Sequence, residues 1–275
     1  MGRGRIRAMG QHFLRDTSVL KSIIRYISPQ KHDLIIEIGA GKGALTFLLA
    51  ERAGRVVAIE KDKDFIPLLK RKKLTNLEIL EEDVLKISFK ELIKKEGNFK
   101  GGVKVVGNLP YSISSPVLFK VFGEKEQFFR CIFLLQKELA ERVCAIPGGK
   151  QYSPLSIIFQ IYFSTKLCFI VNSRSFSPPP KVESALISLE KRTNPLFSIK
   201  EEELFRNFIR GSFRHRRKTL LNNLTMLNFS PSVLKNAFQE LRLNTLVRPE
   251  QLPISQFVEF FNFLLENSDI NSWTL

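Results

Sequence analysis

The sequence predicts an α/β fold, a parallel sheet with crossover helices, followed by a small all-helical C-terminal domain. Three observations carry this. From Asp33 to about Glu190, short apolar runs alternate with segments of helical periodicity, as parallel strands with crossover helices require. A glycine-rich turn, Gly39-Ala40-Gly41-Lys42-Gly43, sits where the first strand passes into the first helix. Beyond Thr193-Asn194-Pro195 only helical periodicity remains, and no glycine follows Gly211.

Leu34–Ile38 reads as the first strand and Gly43–Ala53 as an amphipathic helix that ends near Gly54. Val56–Ile59, Leu77–Leu80, Val103–Val106 and Cys131–Leu135 predict the next four strands, with a helix around Asp64–Lys72 before the third. Two further strands are expected at Lys166–Val171 and Ala185–Leu189, and Pro154 to Phe163 reads as an apolar helix. Helices over Glu201–Ser212, Arg216–Leu227, Pro231–Glu240 and Ile254–Leu265 fill the C-terminal part. The boundary falls near 192–200, giving domains of 1–195 and 196–275, with a loose tail from Asn267.

Composition narrows the function. The chain has 275 residues, 44% hydrophobic and 25% charged, values of an ordinary globular protein. Its apolar runs stay short of the roughly 18 residues that span a bilayer, and no signal-peptide pattern opens it. Cys131, Cys144 and Cys168 are scattered in apolar contexts without metal spacing, so reduced core thiols in a cytoplasmic protein are expected. The three histidines form no metal-ligand pattern, so no metal is expected. Lysine and arginine number 43 against 27 acidic residues, a net charge of +16 and a pI near 9.9, which points to a polyanionic partner.

Two clusters carry chemistry. Asn108-Leu109-Pro110-Tyr111 follows the apolar run Val103 to Gly107. The Asn side-chain oxygen and a carbonyl at Pro110 can accept both hydrogens of a planar exocyclic amine such as that of adenine. Proline stiffens the loop, and the Tyr111 ring can stack on a base, worth ~1–3 kcal/mol. In the second cluster, Gly39 and Gly41 let a ligand approach the backbone, Glu60 ends the second strand as an acceptor for ribose hydroxyls, and Asp83 follows the third strand as an acceptor for an adenine amine. The glycine spacing also fits a nicotinamide dinucleotide site, which would leave the Asn-Leu-Pro-Tyr loop unexplained.

Taken in order, Gly10-Gln11-His12-Phe13-Leu14, Glu37-x-Gly39-x-Gly41-x-Gly43, Glu60, Asp83, Asn108-Leu109-Pro110-Tyr111 and Phe176-x-Pro178-x-Pro180-x-Val182-x-Ser184 closely resemble the S-adenosylmethionine-dependent ribosomal RNA adenine dimethyltransferases over about residues 8–265. The resemblance implies a Rossmann-like methyltransferase sheet. Gln11, His12 and Leu14 would close over the methionine part of the cofactor, Gly39 and Gly41 would approach it by backbone, Glu60 would hold its ribose and Asp83 its adenine amine. Asn108 would touch both cofactor and target amine, with Leu109 and Pro110 completing the loop, while Tyr111 and Phe176 would sandwich a flipped adenine. His12 departs from the asparagine frequent in the small-subunit branch.

Arg206, Arg210, Arg214, Arg216, Arg217 and Lys218 concentrate charge in the helical domain. The first three recur every four residues and share one face if their helix continues through Gly211. Together with Arg3, Arg5 and Arg7 they are expected to grip RNA phosphates. The stretch Phe213 to Leu220 resembles the small-subunit subgroup, which implies dimethylation of adenosines in small-subunit (16S) ribosomal RNA, within a pre-30S particle; nothing in the sequence suggests an obligate dimer, and a monomer is expected. A large-subunit enzyme of the macrolide-resistance kind, a non-catalytic RNA-binding assembly or transcription factor on the same fold, and a DNA adenine methyltransferase stay open at this point.

Overall fold

The computed structural model describes residues 11–227 and 229–268; Arg3, Arg5, Arg7, Gly10 and the tail from residue 269 lie outside them. Packing divides the chain into two compact units. One comprises the residues up to Ala140 with Ser164–Lys191, the other Glu141–Phe163 with the residues from Arg192.

The first unit opens with a two-residue strand β1 (Phe13–Leu14) and helix α1 (Thr17–Ile27). Asp16 caps α1 by accepting from the Ser18 and Val19 amides, and Leu20, Ile23, Ile24 and Ile27 give it one buried face. There follow β2 (Leu34–Ile38), α2 (Thr46–Ala50), β3 (Arg55–Glu60), α3 (Ile66–Lys70), β4 (Leu77–Glu81), α4 (Phe89–Glu96), β5 (Val103–Asn108), α5 (Ser114–Gly123), β6 (Arg130–Gln136) and α6 (Lys137–Cys144). After α7 (Pro154–Tyr162) the chain forms β7 (Phe163–Val171), β8 (Phe176–Ser177) and β9 (Ser184–Lys191). The expected strands appear within a few residues of their predicted ends. The first two crossover helices are shorter than expected, and α1, α4, α5 and α6 are additions to the predicted elements.

Seven strands form one sheet in the order β4-β3-β2-β5-β6-β9-β7, parallel from β4 to β6, with β9 antiparallel to β6. All five residues of β2 are buried, as in a strand covered on both faces, Glu37 being its one charged member. β1 and β8 pair only with each other, Phe13 opposite Ser177 and Leu14 opposite Phe176.

The second unit holds α7 and the helices α8 (Glu202–Ser212), α9 (Leu220–Thr225), α10 (Pro231–Glu240) and α11 (Ile254–Asn267). Its core is built from aromatic residues, with Phe205, Phe208, Phe257, Phe260 and Phe261 in mutual contact. Tyr152, Ile157 and Ile161 belong to this core. Residues 141–163 therefore pack with the helical unit, whereas the expected boundary near 192–200 places them in the first domain. Among the described residues no helix is long and apolar enough to cross a membrane.

Candidate active site

β2 and β5 lie side by side, and from them the chain runs to opposite sides of the sheet, through β3 and β4 one way and β6 the other. At such a switch point the loops at the carboxyl ends part and leave a crevice. A cavity of ≈ 850 Å³ opens there, and a smaller one of ≈ 210 Å³ adjoins it; Phe13, Gly39, Gly41 and Asn108 line both. The strands can approach here because residue 107 is glycine: a Cβ on it would lie 2.6 Å from the Ile38 carbonyl oxygen.

The turn leaving β2 has φ of +74° at Gly39, +52° at Gly41 and +82° at Gly43, a conformation that side chains disfavour. Glu60, at the end of β3, fastens this turn. Its Oε2 accepts the Gly41 amide at 2.7 Å and its Oε1 the Asp62 amide at 2.8 Å, leaving further lone pairs for ligand hydroxyls. Asp83 accepts the Leu85 amide at 3.0 Å and the Lys61 ammonium at 2.8 Å. The lysine contact and the amide hold its carboxyl below the ordinary carboxylate range, so it faces the cavity ionised.

Glu37 belongs to the glycine motif but has no role assigned from sequence. It is buried in β2 and lines the smaller cavity, and its Oε2 has no hydrogen-bond partner. Burial, opposed by neighbouring Thr46 and reinforced by the charge of Glu60, raises its carboxyl to about 7. Gln11 Oε1, on the wall of the larger cavity, is likewise buried without a partner among the described residues. Acceptors left wanting at both ends of one crevice suit a ligand that brings hydrogen-bond donors and positive charge. S-adenosylmethionine fits, with its ammonium, sulfonium, ribose hydroxyls and adenine amine.

The segment before α1 lies across the glycine turn. Phe13 packs where a Cβ on Gly41 would be 3.1 Å from the ring, and the Lys42 ammonium stands 4.8 Å over that ring. His12 Nδ1 donates to the Pro178 carbonyl at 2.8 Å, while the His12 carbonyl accepts Asn108 Nδ2 at 3.0 Å. Asn108 Oδ1 thereby stays available as an acceptor. The Leu109 amide donates to the Leu134 carbonyl at 3.2 Å, and the Leu109 side chain is buried. The Pro110 carbonyl already accepts the Ile113 amide at 3.1 Å and the Ser114 hydroxyl at 3.0 Å. Both its lone pairs are engaged in starting α5, which leaves that oxygen without a lone pair for a target amine.

Tyr111 is half-buried, and its hydroxyl bonds the Ser184 hydroxyl at 2.7 Å. Burial raises its phenol above the usual range, so it stays protonated. The His12 ring tilts against it at 5.6 Å between centroids. Phe176 lines the same cavity but is only 2% exposed, wedged into the core with Leu14, Leu134 and Leu186. A base stacked on Tyr111 therefore meets Phe176 only if this ring yields. Leu14 lines the smaller cavity. All the residues expected to hold cofactor or target thus line these two cavities; Glu37 and Lys61 join them without having been expected from sequence, and Ser184 stands behind Tyr111 through the paired hydroxyls.

The basic residues lie in the second unit. The α8 helix ends at Ser212, so Arg214 does not continue the face of Arg206 and Arg210. Residues 213–219 form a turn instead, and α9 starts only at Leu220, capped by Thr219. The cause is Asn223, which is buried. Its Oδ1 accepts the His215 amide at 2.9 Å, and its Nδ2 donates to the His215 and Thr219 carbonyls. Arg214, Arg216, Arg217 and Lys218 are exposed on this turn, with the Arg216 guanidinium donating to the Lys150 carbonyl. Arg206 is half-buried beside Tyr162 and Glu202, a site that suits a structural charge better than a phosphate contact.

A Rossmann-like sheet with its ligand crevice at the switch point defines the class as the methyltransferase type of α/β protein. The chain belongs to the ribosomal RNA adenine dimethylase family, whose model matches residues 4–266. It is 41% identical over 251 residues to the ribosomal RNA small subunit methyltransferase A of Clostridium botulinum (strain Kyoto / Type A2), covering 90% of each chain. To the protein of that name from Streptococcus thermophilus (strain ATCC BAA-491 / LMD-9) it is 38% identical over 266 residues, covering 94% of this chain and 92% of the other. A crystal structure of a dimethyladenosine transferase from Plasmodium falciparum superposes with a TM-score of 0.79 at 28% identity, covering 93% of this chain and 98% of that one.

Proposed function

We infer that this protein dimethylates the exocyclic amines of adenosines in small-subunit ribosomal RNA, with S-adenosylmethionine as methyl donor, in support of ribosome biogenesis. The observation that carries this reading is the Asn108–Tyr111 loop, which lines the same cavity as the glycine turn. Relatives at 38–41% identity are named for the small subunit, so the large-subunit alternative is not favoured. The intact loop argues against a purely RNA-binding factor, and family membership sets the dehydrogenase aside.

When bound, S-adenosylmethionine supplies a methyl group on a positively charged sulfur, a leaving group that needs no acid. The chain has to bind, align and dry the reactants. Gln11, His12 and Leu14 would close over the methionine part, with Glu37 as the acceptor for its positive charge. Gly39 and Gly41 would approach by backbone, Glu60 would accept from the ribose and Asp83 from the adenine amine. Asn108 Oδ1 and the Leu109 carbonyl would accept the two hydrogens of the target amine, turning its lone pair away from the ring and toward the methyl carbon. Tyr111 would stack on the extruded base. His12, whose Nδ1 hydrogen is engaged by Pro178, would tether this segment beside Asn108.

The turn 214–218 would grip phosphates, and the target is an immature small subunit met by a monomeric enzyme in the cytoplasm. The test is mass-spectrometric mapping of methylated adenines after undermethylated small subunits are incubated with protein and cofactor. Dimethyladenosine at defined small-subunit positions is expected; none there, or methylation confined to large-subunit RNA, overturns the reading.

A further inference from the structure

Ser184 has no part in the roles given above, yet its hydroxyl makes one of the shortest contacts around the larger cavity. It is fully buried at the start of β9, where it pairs with Gln136 at the end of the β6–β9 register. β6 in turn pairs with β5, Leu134 opposite Asn108. The sheet therefore fixes the Ser184 hydroxyl relative to the Asn108 loop, and from that fixed point it bonds the Tyr111 hydroxyl at 2.7 Å.

Tyr111 needs such an anchor. It sits on a loop and is half-buried, so packing alone does not hold its ring. Phe176 has no hydroxyl and is held by burial at 2% exposure. Stacking on a base requires a π face and no oxygen, so the Tyr111 hydroxyl is surplus to stacking and free for another task. A ring attached only at Cβ swings about the first side-chain torsion; a bond at its far end removes that swing before the base arrives.

We propose that Ser184 is a positioning residue for Tyr111, fixing through the paired hydroxyls the place of the ring against which the target base stacks. This deepens the functional reading above and rests on it. Ser184→Ala and Tyr111→Phe remove the same bond from its two ends and leave the stacking ring in place.

Labelled methyl transfer to undermethylated small subunits, with the native chain, each single variant and the double variant, tests the proposal. Each single substitution is expected to lower kcat about five- to tenfold, the rate equivalent of one neutral hydrogen bond. Cofactor affinity by calorimetry and the KM for cofactor should stay unchanged, and the double variant should be no slower than the worse single one. Wild-type kcat in Tyr111→Phe overturns the proposal, as does a double variant that loses the product of the two single effects. If Ser184→Ala fails to bind cofactor because it does not fold, the volume-matched Tyr111→Phe decides alone. Aromatic NMR of the native chain and Ser184→Ala reads the anchor without catalysis. A wider swing of the Tyr111 ring axis in the variant, seen as a lower order parameter for its Cζ position, supports it, and an unchanged swing refutes it even where the native chain transfers no methyl group and the functional reading has failed.

Discussion

The two ends of β2 and β5 treat buried polar groups in opposite ways. At the amino ends, Lys104 and Asp33 are 4% and 1% exposed and are paired. The lysine donates to Asp33 Oδ2 at 2.7 Å and to the Ser28 carbonyl at 2.8 Å, and the same Oδ2 accepts the Gln30 amide at 2.8 Å. At the carboxyl ends, Glu37 Oε2 and Gln11 Oε1 are buried with no partner among the described residues. Folding satisfies the first end and leaves the second incomplete, which marks the second as the place where a ligand finishes the hydrogen bonding.

The sharpest break of this contrast is Asn108→Ala. It should cost about 10³-fold or more in methyl transfer, the scale of losing a preorganised polar contact at the reacting group, with the melting temperature unchanged; near-native turnover counts against the assigned role. At the other end, Lys104→Met should leave catalysis per folded molecule intact but destabilise the protein by about 3–5 kcal/mol, because Asp33 would lose its buried ion-pair partner. Urea unfolding measures this, and pairing the change with Asp33→Asn should restore much of the loss.

Glu37 sharpens the comparison through pH. Burial holds its carboxyl near 7 against an ordinary 4.5. The folded protein keeps a proton that the unfolded chain gives up, so stability falls as pH rises from about 4.5 to about 7 and is flat above. The loss attributable to Glu37 is on the order of 3 kcal/mol. Glu37→Gln should abolish that part of the decline in urea melts at about pH 5 and about pH 8, on either side of most of that window, and should weaken cofactor binding. The smallest expected effect lies outside both ends. Arg216→Glu with Arg217→Glu should leave cofactor affinity untouched while making RNA binding less sensitive to salt, the slope falling by about one for each phosphate no longer neutralised.

How far the fold and site can be read from the sequence follows physical reach. Strands such as Leu34–Ile38 and Val103–Asn108 announce themselves by apolar runs bounded by Asp, Gly and Asn, and the glycine turn by its chemistry. Helix α1 carries an equally local signal that the sequence analysis does not use, Asp16 before Leu20, Ile23, Ile24 and Ile27. The basic turn is not readable from the spacing of Arg206, Arg210 and Arg214. A buried amide at Asn223 overrides helix propagation, and nothing local to the arginines signals it. The engaged Pro110 carbonyl and the bond between Tyr111 and Ser184, 73 positions apart, likewise exist only once the chain has folded.

Gly107 sets the width of the crevice by an atom it lacks. With the Ile38 oxygen 2.6 Å from where a Cβ would stand, even a methyl group would wedge apart the strands that carry the donor-binding turn and the acceptor loop. Anyone re-engineering this protein for a bulkier donor can vary its walls, but the spacing between its two halves is not adjustable by a side chain at that position.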